Sequence, residues 1–457
     1  MSFREQLDAV AMEPIVSASR SMGSDSLGNP IEASSYKMLK SRMHLKLLEK
    51  FDLAALETLP PEDLRQEISA MVGRLLLEEQ TAVNDIEKRT LIRDIQHEML
   101  GFGPIELLMA DPTVSDILVN SYDQIYVERK GRLELTNVGF TDEKHLLRII
   151  DKIVSLVGRR IDESSPMVDA RLPDGSRVNA VIPPVALDGP MMSIRRFAHI
   201  PLKMENLVQD LKSLTPQMAF MLEGLGKSKV NTLISGGTGA GKTTLLNILS
   251  GYIPESERIV TIEDAAELQM QQPHVIRMET RPANIEGKGE ITQRALVRNA
   301  LRMRPDRIVI GEVRGAEAFD MLQAMNTGHE GSLTTIHANT PRDALSRLEN
   351  MIGMANLNLP HKAARSQIAS AITVVIQALR LIDGRRKITS IQEITGMEGD
   401  VITMQEIFAF KQTGVGADGM VQGHFHATGV RPKFTDRLRA FGIVLPDAMF
   451  DPTRHYE

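Results

Sequence analysis

The chain contains no cysteine in 457 residues. That removes disulfides, zinc–thiolate centres and thiol nucleophiles together, and it suits a reducing compartment. Tryptophan is absent too, and aromatics make up only 4% of residues, thin material for stacking single-stranded bases. Positive charge is not in excess. The net charge is −6 and no long basic run occurs, so nucleic acid is not an expected partner. No stretch reaches the roughly 18 consecutive apolar residues of a membrane-spanning helix. The best candidate, IASAITVVIQALRLI, is cut by Gln377 and Arg380 and reads as a buried helix end followed by a strand. Near the N-terminus, Arg4, Glu5 and Asp8 stand where a signal peptide needs an apolar core. Membrane work is therefore expected only through partners, with the chain itself cytoplasmic.

What is present is the composition of a globular protein, 42% hydrophobic and 25% charged, long enough for two or three domains. The 25 methionines read as adaptable packing. Residues 1–58 read as a flexible lead-in, SRSMGSDSLGNPIEASS, with a short helix near 36–50. Over 59–104 the pattern is helical, with Leu64, Ile68, Met71, Val72, Leu75 and Leu76 on one face. Residues 105–198 read as a small α+β domain. It has strands around SDILVNSYDQIYVERKGRLELTNV, a helix N-capped at Thr141, and further strands around an Asp174-Gly175 turn. A linker is expected at 199–210. From 211 to 457 strands and helices alternate, as in a parallel α/β sheet, ending with a hairpin at Asp383-Gly384 and a tail.

The strongest motif is NTLISGGTGAGKTTLLNIL. Gly236, Gly237, Thr238, Gly239, Ala240, Gly241, Lys242 and Thr243 complete G-x-x-x-x-G-K-[ST] between an apolar strand and a helix, with Thr244 next in line. Glycines let backbone N–H groups turn inward onto phosphates, and the helix start adds positive potential. Lys242 is expected at the β- and γ-phosphates and the Thr243 hydroxyl on magnesium, which points to ATP and Mg2+ as the bound species.

Two further strands end in acids. ERIVTIEDAAELQM ends at Glu263, Asp264 and Glu267; RPDRIVIGEVRG reaches Glu312. Ligands of parallel sheets bind beyond the carboxyl ends of strands, so both groups are expected near the phosphates. Asp264 and Glu267 serve equally well as caps of a following helix. Asp306, before its strand, reads as structural. His337 closes a strand, SLTTI, and His329 precedes it. A neutral imidazole at His337 suits a γ-phosphate sensor, and zinc is not expected because no third ligand is nearby.

Four boxes in order then resemble one family: the phosphate loop, TIEDAAEL, LRMRPDRIVIGEVRG and GSLTTIHANTPRDALSRL. The chain resembles the secretion-superfamily ATPases, motors of type II and type IV secretion and of type IV pili. GFGPIELLMADPTVSDILVNSYDQIYVERKG, RLPDGSRVNAVIPPVALDGPMMSIRRF and GMEGDVITMQEIF are similar to its CpaF/TadA branch, which serves tight-adherence pili. The resemblance implies an α/β fold: a RecA-like P-loop core preceded by a PAS-like α+β domain and a helical region. It implies a homohexamer acting on an inner-membrane platform protein. It also implies roles for Glu263 as general base, Glu312 toward magnesium and water, and His337 near the γ-phosphate. Arg177 and Arg195 would reach that phosphate from the small domain, with Arg196 as the alternate. Which of Glu263 and Glu312 activates the water stays open, and Arg314 is expected to pair with acids. The nearest alternatives are a conjugative-type secretion ATPase and a RecA-like nucleic-acid motor.

Overall fold

The computed structural model describes residues 33–50, 60–81, 83–129, 131–197, 202–281, 283, 288–355 and 359–456. Of the lead-in expected over 1–58, residues 1–32 and 51–58 lie outside the described residues, as do 199–201 at the start of the expected linker. The chain divides into two compact units, Met1–Ala198 and His199–Glu457.

In the first unit, helices α1 (Ala33–Lys50), α2 (Pro61–Glu78) and α3 (Asp85–Leu100) come first. They bury a shared apolar core that includes Met43, Leu47, Ile68, Val72, Leu75, Leu91 and Ile95. The start of α3 is closed by a reciprocal capping box between Asn84 and Glu87. A short α4 (Glu106–Ala110) leads into strands β1 (Val114–Val119), β2 (Ile125–Arg129) and β3 (Arg132–Leu135). After α5 (Glu143–Leu156) come β4 (Met167–Arg171), β5 (Arg177–Val181) and β6 (Met191–Arg195). The six strands form one antiparallel sheet in the order β3-β2-β1-β6-β5-β4.

Helix α5 shows why this sequence folds here. Leu146, Ile149, Ile150, Ile153 and Val154 recur at helical spacing and all are buried in the sheet's core. Its N-cap is Asp142, not the expected Thr141: the Asp142 carboxylate accepts from His145 N–H at 2.7 Å. A carboxylate at that place also suits the positive helix start better than a hydroxyl. Two polar contacts, one buried and one half-buried, tie α5 back to α3. His145 Nε2 lies 2.8 Å from Glu98 Oε2, and Lys152 donates to the α3 carbonyls of Glu98 and Met99 and to that of Gly101.

The second unit is built on a ten-stranded sheet. Its elements are α6 (Pro216–Lys227), β7 (Thr232–Gly236), α7 (Lys242–Ser250), β8 (Ile259–Glu263), β9 (Val275–Glu279), α8 (Gln293–Ala300), β10 (Arg307–Ile310), α9 (Glu317–Asn326), β11 (Leu333–His337), α10 (Pro341–Met354), α11 (His361–Ala371), β12 (Val374–Arg380), β13 (Arg386–Glu398), β14 (Val401–Val415), β15 (Val421–Ala427), α12 (Thr435–Ala440) and β16 (His455–Tyr456). The order is β16-β15-β14-β13-β12-β7-β11-β10-β8-β9.

From β12 to β9 the pairings are parallel. This half is the RecA-like α/β core. Strands β7, β8 and β10 are buried along their whole length, as a parallel sheet covered on both faces requires. Alternate residues feed opposite faces: Ile234 and Ile259 join the layer of α6 and α7, whereas Leu233, Val260 and Ile262 join that of α8 to α11. Beyond β12 the pairing turns antiparallel and runs on through β16. The expected terminal hairpin is thus the first turn of a five-stranded meander, whose strands β13 and β14 reach 13 and 15 residues.

Candidate functional site

The phosphate loop joins β7 to α7 with backbone shapes that only glycine adopts easily. Gly239 and Gly241 have φ of +68° and +91°. A Cβ on Gly236 would run into the Ala378 carbonyl of β12, whereas one on Gly237 would meet nothing within 4 Å. The loop is therefore pressed against the sheet at its root and open at its shoulder. Gly241 caps α7 without any side-chain hydrogen bond, so the first N–H groups of the helix have no side-chain acceptor there. Lys242 is buried, and its ammonium donates to the Gly237 carbonyl at 3.0 Å. Burial pushes the Lys242 pKa below the ordinary lysine range, while the charge of Glu312 pulls it back up.

On one flank of β7 stand β11, β10 and β8, and the carboxyl ends of β8 and β10 carry the acids. Glu263 is the last residue of β8 and is almost fully buried. One oxygen, Oε1, accepts from the N–H groups of Glu267 and Leu268 at 2.8 and 2.9 Å. The other, Oε2, is buried with no hydrogen-bond partner. Burial raises the Glu263 pKa above the usual carboxylate value, against the pull of those two N–H groups. A carboxylate with one oxygen fixed and the other unpaired is poised to accept a proton or a hydrogen bond. No helix follows β8, so capping by Asp264 and Glu267 is overturned. The chain instead curls so that its amides serve Glu263.

Glu312 lies two residues past β10 and is held between Arg314 and His337. Arg314 Nη2 is 2.8 Å from its Oε2, and His337 Nε2 is 3.3 Å from its Oε1. Arg314 Nη1 also reaches Asp264 Oδ2 at 3.3 Å, and so links the two acidic segments within this unit. The turn carrying Arg314 is fixed by buried Glu317, which accepts from the N–H groups of Arg314 and Gly315. His337 ends β11. Burial and the nearby Lys242 charge lower its pKa, so the imidazole is neutral near pH 7. His329 precedes β11 and so sits toward the opposite end of that strand from His337. Asp306 likewise lies at the other end of β10 from Glu312, where it accepts from the Arg258 N–H at 2.8 Å.

Three arginines line up across the first unit's sheet. Arg171 faces Arg177 on the next strand, and Arg177 faces Arg195 on the next. Arg195 is well exposed and paired with Asp116 at 3.2 Å. Arg196 behaves differently: its guanidinium donates to the carbonyls of Asp111 and Val114. Strand alternation explains the split, because neighbouring residues point to opposite faces.

One contact on the loop had no counterpart in the motifs. Arg386 Nε donates to the Gly239 carbonyl at 2.8 Å. The only signal for it was a tandem arginine after the Asp383-Gly384 turn.

A family model described as type II/IV secretion system protein matches residues 98–416. The chain belongs to the type II/IV secretion system protein family. It is 39% identical over 331 residues to a putative conjugal transfer protein of Mycobacterium tuberculosis, covering 70% of this chain and 92% of that one. It is 30% identical over 323 residues to the type IV secretion system protein VirB11 of Bartonella henselae, covering 63% and 90%. Among solved structures it is similar to the VirB11 ATPase of the Brucella suis type IV secretion system, at 27% identity and a TM-score of 0.34, over 63% of this chain and 94% of that one. No helix among the described residues of this family member is long and apolar enough to cross a membrane.

Proposed function

We propose that this chain is an ATP-hydrolysing motor subunit that drives a tight-adherence pilus. One observation carries the ATPase reading: the carboxylates of Glu263 and Glu312 lie at the carboxyl ends of adjacent parallel strands beside a G-x-x-x-x-G-K-T loop. Generic strand–helix turns have no need of a buried lysine and a half-satisfied buried glutamate on one rim.

The residues present fit a nucleoside triphosphate with magnesium. An uncapped helix start and a buried ammonium suit phosphate oxygens. The Thr243 hydroxyl and Glu312 offer the oxygen donors magnesium prefers, and one or two such groups suffice because phosphates complete its shell. Bound there, magnesium would neutralise phosphate charge and orient the γ-phosphate. Lys242 would leave Gly237 for the β- and γ-phosphates. Glu263, through Oε2, would accept the proton of the attacking water. Glu312 would serve the metal, with Arg314 giving up its hold on that carboxylate. His337 would report the presence of the γ-phosphate to Glu312. Arg177 and Arg195 would add positive charge to that phosphate, a role drawn from the family resemblance. ATP then stabilises a state that ADP does not, and this differential contact is what a motor requires.

The pilus assignment rests on the resemblance of residues 101–131, 171–197 and 396–408 to the CpaF/TadA branch. In that reading six copies form a ring on an inner-membrane platform protein. A conjugative-type secretion motor is the second reading, favoured by the name of the Mycobacterium tuberculosis relative. Purified full-length protein should hydrolyse ATP, and Lys242→Ala should abolish turnover. Wild-type turnover by that variant would overturn the site. Loss of surface pili in a strain carrying Lys242→Ala, with conjugation intact, separates the first reading from the second.

A further inference from the structure

The strand flanking β7 on the side away from the acids is β12, and β13 lies beyond it. The β12–β13 turn brings Arg380 and Arg386 directly opposite one another in the antiparallel register. Both side chains are half-buried and both lean on the phosphate loop. Arg386 donates to the Gly239 carbonyl at 2.8 Å, and its Cδ lies 3.4 Å from where a Cβ on Gly241 would stand. Arg380 Nη1 lies 3.3 Å from the corresponding point on Gly239. Both arginines therefore lie in van der Waals reach of the loop at Gly239 and Gly241, whose positive φ already favours glycine.

The two flanks of the loop thus carry opposite charge. Glu263, Glu312 and His337 stand on the β8, β10 and β11 side, and the Glu312 charge acts on Lys242 from there. That is the flank for the γ-phosphate and its metal. In the nucleotide reading proposed above, the β12 flank is left for the rest of the nucleotide. We propose that the β12–β13 hairpin is a second phosphate-binding arm: Arg380 contacts the α-phosphate side of a nucleoside di- or triphosphate, and Arg386 positions the loop through the Gly239 carbonyl. This inference rests on the nucleotide reading above. Because the arm is remote from the γ-phosphate, it should hold ATP and ADP alike. It would thereby retain ADP after hydrolysis, when the contacts of the acidic flank are released.

The test is equilibrium titration of the full-length chain with fluorescent ADP and with a fluorescent non-hydrolysable ATP analogue. Arg380→Ala and Arg386→Ala should each weaken both ligands about tenfold, the loss typical of one charge-assisted hydrogen bond. The ratio of the two affinities should stay at its wild-type value. Arg386→Lys, which can still donate to Gly239, should recover part of the loss, whereas a merely steric role would give no such rescue. Arg380→Gln guards against a folding defect in the alanine variant and should behave like it. Wild-type affinity in both Arg380 variants, or a loss confined to the triphosphate analogue, would overturn the arm. A wild-type chain that binds neither ligand would overturn the nucleotide reading and the arm with it. Binding by wild type with unaltered variants would remove the arm alone.

Discussion

Gly311 and Glu263 share one space. A Cβ on Gly311 would stand 2.9 Å from Glu263 Cγ, nearer than carbon atoms approach, while the Gly311 N–H donates to the Ile262 carbonyl at 2.9 Å. The glycine after β10 is therefore what lets a buried glutamate stand at the end of β8. Gly311→Ala cannot be absorbed at the far tip of the side chain, because the contact is near its root. The Glu263 carboxylate must shift. Misplacement of a reacting group by about 1 Å costs roughly a hundredfold in rate. ATP turnover by Gly311→Ala should fall by about that factor, while ADP affinity stays near wild type. Full turnover would show that Glu263 has no part in the chemistry.

Glu263 should also be a stability liability. Its folded pKa is raised, chiefly by burial. A carboxyl group raised on folding favours the fold when both states are protonated, below its unfolded value. It loses that advantage as pH rises through the folded value. At neutral pH the charged, half-satisfied group is therefore a cost. Glu263→Gln should raise the thermal midpoint at pH 7.5 and abolish hydrolysis. The gain in midpoint should shrink toward zero as pH falls below the ordinary glutamate value. A midpoint difference independent of pH would contradict the burial argument.

Arg195 and Arg196 are adjacent yet should fail differently. Arg196 is half-buried and donates to two carbonyls; burial lowers its pKa, and losing it removes both of these charge-assisted hydrogen bonds. Arg196→Ala should cost about 1–3 kcal/mol. Arg195 has 58% of its side chain exposed and one ion pair. Arg195→Ala should cost at most about 1 kcal/mol in stability, yet in the proposed cycle it should slow ATP turnover. Chemical denaturation and steady-state hydrolysis of the two variants decide this. Equal destabilisation with no kinetic difference would remove Arg195 from the proposed site.

The parts legible in sequence are those fixed by local rules. The glycines of the loop announce a backbone shape, and apolar runs of five residues announce buried parallel strands. A polar residue just past such a run falls at the ligand-binding rim, which marked Glu263, Glu312 and His337. The parts that were not legible depend on distant chain. Arg386 meets Gly239 across 147 residues. Arg196 finds Asp111 across 85. Capping by Asp264 and Glu267 failed as an expectation because a competing acceptor, Glu263 itself, claimed the amides a helix would have used. The meander beyond β13 was underestimated because period-2 patterning marks a strand without saying how far its pairing continues.

The stretch that carries Glu312 begins with a buried cation. Arg307 opens β10 with no solvent exposure. It pairs with Glu257 at 2.5 and 3.3 Å and donates to the carbonyls of Gly226 and Gly331 at 3.0 and 3.1 Å. Gly331 has a φ of +82°, and a Cβ there would strike the guanidinium, so the glycine and the arginine are matched. Removing one partner of a buried pair leaves the other charged and unsolvated, at a cost of about 3–5 kcal/mol. Arg307→Ala should therefore sharply lower the thermal midpoint. Arg307→Met combined with Glu257→Leu removes both charges and should recover much of that loss. Because Arg307 lies at the opposite end of β10 from Glu312, the double variant should keep wild-type nucleotide affinity. Lost affinity in a double variant of restored stability would mean that the two ends of β10 are coupled, and that Arg307 helps to place Glu312.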